Sequence, residues 1–257
     1  MLPIQFPGIE RSSVFSFSHF EPWRGVFETI WIHQGVPIFW QIHWKNFLEA
    51  ANALQIPHNL PVEVPPPLFL QACTGRLRLI LDAEGRLYHT FNEETPHQTQ
   101  TSFSLGLALQ RLGKHNWDAR YKTLSYLTHT QARLSTSSDE ALLLNEDGHV
   151  VCGSSSNLFW LDNSCLHTPP LSAGCRNGAV RQWILSQLPV QESLITPEEL
   201  LQSKAIAITN SRLGIQPISA FLHWTPLSSK LFDPLIEAYK AEINRQIQQL
   251  TSFSPSS

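Results

Sequence analysis

Two apolar runs that read as core strands are separated by Gly153-Ser-Ser-Ser-Asn157, and this join constrains the fold more than any other stretch of the chain. A backbone so rich in Gly and Ser can come close to a ligand or to another backbone, because little or no side chain stands in the way. The same residues also build ordinary turns. Before the join, a turn at Asn145-Glu-Asp-Gly148 leads into Val150 and Val151, and after it Leu158-Phe-Trp-Leu161 resumes the sheet. The C-terminal half is therefore sheet-rich, and its Gly-Ser segment faces either a bound molecule or solvent.

The rest of the chain mixes both periodicities. Residues 26–33 and 37–43 are apolar, β-branched and aromatic on either side of Gln34-Gly35, which predicts a strand pair. Another pair is expected at Leu77–Leu81 and Leu87–Phe91 around Asp82-Ala-Glu-Gly85, with further strands at Ala141–Leu144 and Ala205–Ile208. Helical spacing appears in Trp44–Leu54 through Phe47, Leu48, Ala51 and Leu54, and again in Gly178–Leu188 and Asp233–Leu250. In the last of these Asp233 can cap, Pro234 suits the first turn, and Leu235, Ile236, Tyr239, Ile243, Ile247 and Leu250 share a face. Five prolines across 55–68 predict an extended connection, and polar Gly113–Asp118 predicts a linker. The pattern predicts a mixed α+β or α/β fold. Its expected parts are a smaller N-terminal α/β domain, residues 1–113, and a larger C-terminal domain, 119–257, with a sheet or pseudo-barrel core.

Composition narrows the function classes. With 42% apolar and 15% charged residues, 257 residues can bury a substantial core; only the tail from Thr251 onward reads as loose. A net charge of −3 and no cluster of Lys and Arg argue against a nucleic-acid partner or an anionic membrane surface. The absence of a long apolar run and of a basic-then-apolar start at Met-Leu-Pro-Ile-Gln predicts a soluble, cytoplasmic protein. The four cysteines show no Cys-x-x-Cys spacing and the eleven histidines no His-Glu-x-x-His pair, so no metal or disulfide framework is expected. Cys73, Cys165 and Cys175 read as packed thiols.

Three segments place small polar residues beside strand ends or helix starts: Gly153–Asn157, Gly174–Arg181 and Thr209–Gly214. The second opens a helix, whose free N–H groups and dipole favour an anion near Gly178–Val180. The third offers Thr209 and Ser211 hydroxyls directly after a strand. Lys122 lies in the apolar, aromatic run Ala119-Arg-Tyr-Lys-Thr-Leu-Ser-Tyr-Leu127, where a lysine can lose its proton and attack a carbonyl. Taken singly, each segment also fits a plain turn, and Lys122 fits a solvated lysine.

Taken in order, Val26-Phe-Glu-Thr-Ile30, Tyr121–Leu127, Asp139–Leu144, Gly153–Phe159, Thr168-Pro-Pro-Leu171, Gly178-Ala-Val-Arg181 and Thr209-Asn-Ser211 resemble the class IV aminotransferase family. These are the fold-type IV pyridoxal-phosphate enzymes with D-amino-acid-aminotransferase-like architecture, and the nearest likeness is to their aminodeoxychorismate lyase branch. The resemblance implies that Lys122 bonds to pyridoxal 5'-phosphate and then moves protons at the substrate carbon. It implies that Gly178, Ala179, Val180 and Thr209 hold the cofactor phosphate, that Cys152 lies at the pyridine nitrogen, and that Ser154, Ser155 and Asn157 line the cofactor. A small-molecule substrate and a homodimer follow from the same likeness. Arg24, Arg76 and Arg78 are candidates for substrate carboxylates, with a solvated strand face the competing reading for the last two; Glu28 and Thr29 fall in a segment near the site.

The chain departs from the family pattern at three places. Cys152 stands where relatives carry a glutamate, and a neutral thiol cannot stabilise a pyridinium as a carboxylate does. His43-Trp-Lys-Asn46 replaces His-x-x-Arg, so Asn46 brings no charge to the phosphate unless Lys45, Arg176 or Arg181 compensates. Trp23-Arg24-Gly25 replaces Gly-Asp-Gly. These departures leave three readings: a lyase, an aminotransferase, or a homologue that keeps the fold without catalysis.

Overall fold

The strand pair expected at residues 26–43 forms only in its first part. In the computed structural model, which describes residues 4–5, 24–69, 72–163, 165–228 and 230–251, strand β2 (Val26–His33) turns back into the two-residue β3 (Val36–Pro37). Helix α1 (Trp40–Ala53) then takes over. Trp40, Trp44, Phe47, Leu48 and Ala51 recur at helical spacing and are all buried, so the apolar run read as a strand is the helix's first turn. Its backbone enters through Phe39, whose φ is 55° and whose N–H donates to Gln246 Oε1 at 2.9 Å. The turn before it is tight: Gln34 and Gly35 both have positive φ, at 51° and 80°, as a two-residue hairpin demands. Trp23 and residues 252–257 lie outside the described residues.

The chain divides into two compact units. The first comprises residues 1–97, 122–125 and 238–257. Strand β1 (Ile4–Gln5) pairs antiparallel with β4 (Leu68–Phe69). Strands β5 (Gly75–Leu81) and β6 (Leu87–Glu93) complete an antiparallel sheet in the order β3-β2-β5-β6. Helix α1 packs on β2. The indoles of Trp40 and Trp44 donate to the carbonyls of Val64 and Pro61 at 2.8 and 3.1 Å, fastening the proline-rich stretch to the helix.

The second unit comprises residues 98–121 and 126–237. The expected linker, 113–118, falls inside it, after β7 (Ser104–Leu112) and running into the short helix α2 (Trp117–Arg120). Helix α3 (Leu127–Leu134), β8 (Glu140–Asn145), β9 (Val150–Gly153), β10 (Asn157–Leu161) and β11 (Leu166–Thr168) follow. They lead to α4 (Ala179–Gln187), β12 (Val190–Glu192), α5 (Pro197–Leu200), β13 (Ala205–Asn210), β14 (Gly214–Pro217) and β15 (Ala220–Phe221). Two sheets form, β15-β7-β8-β9 and β12-β11-β10-β13-β14. Leu105, Leu142 and Leu144 from the first share one core with Leu158, Trp160, Ile206 and Ile208 from the second. Ala141, Leu143 and Val151 pack on the opposite side with Ala132 of α3, so every residue of β8 is buried. That double burial is why its sequence reads as an unbroken apolar run.

The final helix α6 (Asp233–Thr251) starts where its Asp-Pro signal predicts, and its residues from 238 onward belong to the first unit. There Tyr239 packs on Phe39 with ring centroids 6.0 Å apart. Among the described residues, no helix is long and apolar enough to cross a membrane.

Candidate active site

Lys122 belongs to the first unit although residues of the second flank it on both sides, because Lys122–Ser125 lies along β2. The Phe27 N–H donates to the Lys122 carbonyl at 2.8 Å, the Leu124 N–H donates to the Gly25 carbonyl at 2.9 Å, and Thr123 bridges to Val26. Gly25 must be glycine here, since a Cβ would meet Leu124 Cδ1 at 2.6 Å and the Leu81 carbonyl at 2.8 Å.

The Lys122 amine reaches the Glu28 carboxylate at 3.5 Å and lies 5.3 Å from the Phe27 ring centroid. Glu28 is 5% exposed. Its Oε1 accepts the Thr29 N–H at 2.9 Å, and His43 Nδ1 stands 3.3 Å away. Burial alone would raise this carboxyl's pKa, but the Lys122 charge, the His43 contact and the Thr29 N–H outweigh it and hold the value down to about 2. Glu28 is therefore an anion at any physiological pH, and its partners are a lysine and a histidine.

In the second unit the Gly-Ser run wraps a carboxylate. Glu140, buried at the start of β8, accepts from the Ala141 N–H at 2.9 Å and from the Ser154 N–H at 3.1 Å. It also accepts from the hydroxyls of Ser154, Ser155 at 2.7 Å and Ser156 at 3.1 Å, and from the Ser155 N–H at 3.3 Å. A Cβ on Gly153 would meet Ser156 Oγ at 2.1 Å, so this wrap requires glycine. Sequence reasoning left Glu140 without a role, because its partners are fourteen to sixteen residues away and are brought to it by the β8–β9 pairing. The Ser154 and Ser155 hydroxyls spend their protons on Glu140, so toward any further group they offer lone pairs.

Tyr126, another residue without an expected role, donates its hydroxyl to the Ser154 carbonyl at 2.7 Å and stacks on His129 at 4.5 Å. Arg176 donates to the Tyr126 hydroxyl at 3.1 Å and lies over its ring. Asn157 Nδ2 donates to the Arg176 carbonyl at 2.7 Å. Cys152 is buried on β9. Burial, then the nearby Cys175 and Glu140, push its thiol far up despite the opposing Arg176 charge, so it is neutral.

Helix α4 starts at Ala179 with Gly178 before it and no side-chain cap on its first N–H groups. Gly178 lies so close to Asn157 that a Cβ would meet Asn157 Oδ1 at 2.3 Å. Thr209 pairs across the sheet with Asn157 and is 1% exposed, yet its hydroxyl has no hydrogen-bond partner among the described residues. A buried, unpaired hydroxyl costs roughly 1–3 kcal/mol unless a bound group satisfies it. An anionic group that accepts this O–H satisfies it, so the residues fit a phosphate.

The arginine candidates separate. Arg76 pairs with Glu94 at 2.9 Å, which accounts for it structurally. Arg78 is exposed, with its guanidinium 4.9 Å from the centroid of Phe27, the ring Lys122 also approaches. Arg24 is exposed at the described edge of the first unit. Of the cations that could replace the missing arginine near Asn46, Lys45 points outward with Glu49 at 3.8 Å. Arg181 is buried against Glu192, Asn177 and the Pro169 carbonyl.

Residues 25–221 match the family described as amino-transferase class IV. The chain belongs to the class IV aminotransferase family. Its members and the relatives of this chain are pyridoxal-phosphate-dependent enzymes. The aminodeoxychorismate lyase of Bacillus subtilis (strain 168) is 27% identical, with 88% of this chain and 87% of the relative covered. The fold matches the crystal structure of 4-amino-4-deoxychorismate lyase from Pseudomonas aeruginosa at a TM-score of 0.72 and 21% identity, covering 91% of this chain and 98% of that one. It also matches a branched-chain aminotransferase from Thermoproteus uzoniensis at a TM-score of 0.76 and 19% identity, over 84% of each chain.

Proposed function

We propose that this enzyme is a pyridoxal-phosphate-dependent lyase that converts 4-amino-4-deoxychorismate to 4-aminobenzoate and pyruvate. The observation that carries the reading is the match to the Bacillus subtilis lyase along nearly the whole of both chains. The cofactor half of the reading is supported by the unsatisfied Thr209 hydroxyl together with the uncapped start of α4. When bound, pyridoxal phosphate supplies an electron sink next to the substrate's amino-bearing carbon.

The chain's residues divide the remaining work. Lys122 would bond to the cofactor and move the proton at that carbon, and Glu28 stabilises the amine whenever it carries a proton. Thr209 and the N–H groups of Gly178, Ala179 and Val180 hold the phosphate. Ser154, Ser155 and Asn157 line the cofactor on a loop fixed by Glu140 and Tyr126. Arg24 and Arg78 are assigned to the two substrate carboxylates, and Arg76 pairs with Glu94.

Cys152 bears on which reaction is run. Cys152, neutral where relatives carry a carboxylate, would leave the bound cofactor a weaker electron sink, which would handicap transamination most. Loss of pyruvate creates an aromatic ring, and that gain drives a lyase even with a weaker sink. The reading extends to a cytoplasmic homodimer, and light scattering after size-exclusion chromatography measures the dimer directly.

The test incubates the purified protein with pyridoxal phosphate and follows near-visible absorbance before and after borohydride. A band that borohydride bleaches, with the cofactor's mass added at Lys122 and absent in Lys122→Ala, supports the cofactor assignment. Fluorescent 4-aminobenzoate and coupled detection of pyruvate then separate lyase from aminotransferase. No band at saturating cofactor overturns the enzyme reading.

A further inference from the structure

A second cluster of chemically competent side chains lies in the β10–β11 hairpin. Leu161 and Leu166 pair directly across the hairpin, which brings Asp162 and Cys165 side by side just beyond that pair. Asp162 organises it: its Oδ1 accepts the Cys165 N–H at 2.9 Å, and its N–H donates to the Cys165 carbonyl at 3.3 Å. That leaves Oδ2 directed at His167 Nε2, 2.9 Å away. Cys165 Sγ stands 3.2 Å from the same nitrogen. Asp162 Oδ2, Cys165 Sγ and His167 Nε2 thus converge, and the ligand atoms of the three residues lie within 4.8 Å of one another.

The geometry rules out an acid–histidine–thiol relay. Such a relay needs the carboxylate on one ring nitrogen and the thiol on the other. Here both address Nε2, while Nδ1 faces Ser193 Oγ at 3.2 Å. A shared nitrogen with its opposite nitrogen pinned by a hydroxyl is how a histidine is presented to a metal. The ring has no freedom to turn away, since it stacks on Trp160 at 5.2 Å and 9° and is 6% exposed. Ser193 arrives from beyond β12, where its N–H donates to the Thr168 carbonyl at 3.0 Å, so the clamp is part of the β11–β12 pairing.

We infer that Asp162, Cys165 and His167 form a binding site for a borderline divalent metal of the zinc class. One sulfur, one imidazole nitrogen and one carboxylate oxygen suit Zn²⁺ or Co²⁺ and do not suit Mg²⁺ or Ca²⁺, which take oxygen sets. Around a tetrahedral ion with bonds of about 2.0 Å to N and O and about 2.3 Å to S, the donors would stand about 3.3–3.6 Å apart. The gaps from His167 Nε2 to Asp162 Oδ2 and Cys165 Sγ, 2.9 and 3.2 Å, then widen by only a few tenths of an ångström. On binding, the Cys165 thiol releases its proton to solvent, and the neutral His167 carries its proton on Nδ1 toward Ser193. Asp162 and Cys165 are partly exposed, so water takes the fourth position. The ion would tie the β10–β11 turn to β11, whose His167 is already clamped by Ser193.

The test uses the full chain, reduced and stripped with chelator, titrated with Zn²⁺ against a chromophoric competitor and separately with Co²⁺. One equivalent is expected to bind, and the Co²⁺ form is expected to show a thiolate-to-metal charge-transfer band. Cys165→Ser should abolish that band, and Cys165→Ser and Asp162→Asn should each weaken Zn²⁺ at least about tenfold. Ser193→Ala should weaken it by roughly 10–100-fold through loss of the imidazole clamp. Both donor substitutions replace partly exposed side chains, and circular dichroism checks that they fold; Cys73→Ser, at a buried thiol elsewhere, should bind as the parent does. Absence of binding in the parent overturns the inference, and so does undiminished binding in both donor variants.

Discussion

Replacing Glu28 by Gln removes one oxygen's charge and keeps the side chain's shape, so it isolates the electrostatics of the Lys122 cluster. The carboxyl's pKa falls from 4.5 to about 2 in the folded chain, which corresponds to about 3 kcal/mol of folding free energy. The sign follows from the direction of the shift. A depressed acid stabilises the folded state fully above its unfolded value of 4.5, and that contribution fades as pH falls toward about 2. Urea unfolding followed by tryptophan fluorescence should show Glu28→Gln about 3 kcal/mol less stable at pH 7. The gap to the parent should shrink as pH drops below 4.5. Turnover to 4-aminobenzoate should fall as well, because Lys122 loses its buried counter-ion. A stability deficit of the same size at pH 7 and at pH 3 would refute the reasoning, since it would mean the cost is packing and not charge.

Thr209→Val removes the unpaired hydroxyl, so pyridoxal phosphate affinity should drop by roughly tenfold to hundredfold while the apo protein's melting temperature holds or rises; cofactor titration and calorimetry read the two effects. Glu140→Gln keeps the shape but strips charge from the carboxylate that gathers Ser154, Ser155 and Ser156, and a loss of at least about 2 kcal/mol is expected, with faster amide exchange at 153–156 by mass spectrometry. Gly178→Ala should abolish cofactor binding and perturb the fold locally, because the new Cβ meets Asn157 Oδ1 at 2.3 Å. Iodoacetamide near neutral pH should modify Cys165 well before Cys152 and Cys175, whose thiols burial pushes up, the latter to about 11; peptide mapping orders the sites.

The fold was legible where a periodicity ran long enough to name itself. Residues 26–33, 75–81, 205–210 and 233–251 needed only alternation, turn glycines and a cap signal, and each lies within a residue or two of its expected bounds. Trp40 misled because the run Ile38-Phe39-Trp40 fits either period, and the helix wins through packing on β2 that no local window contains. The candidate site was half legible. Lys122, the α4 start and Thr209 stand in motifs with a readable order, whereas Glu28 and Glu140 act on groups far along the chain. The Asp162-x-x-Cys165-x-His167 spacing fits no familiar metal pattern, and its clamp, Ser193, comes from a parallel pairing that sequence cannot register.

The chain's route has a consequence for its synthesis. The first unit contains the opening strands and α1, but its Phe39 turn is fastened by Tyr239 and Gln246, roughly two hundred residues later. Residues 122–125, lying along β2, arrive only midway. The part of the chain that leaves the ribosome first therefore cannot finish folding until α6 has emerged, while the second unit's sheets are complete once residue 221 is out. The order of maturation runs opposite to the order of translation. A nascent chain arrested with residues up to 237 outside the ribosome and α6 still within it would display a folded second unit and an unfinished first one, a state that limited proteolysis of ribosome-bound chains can catch.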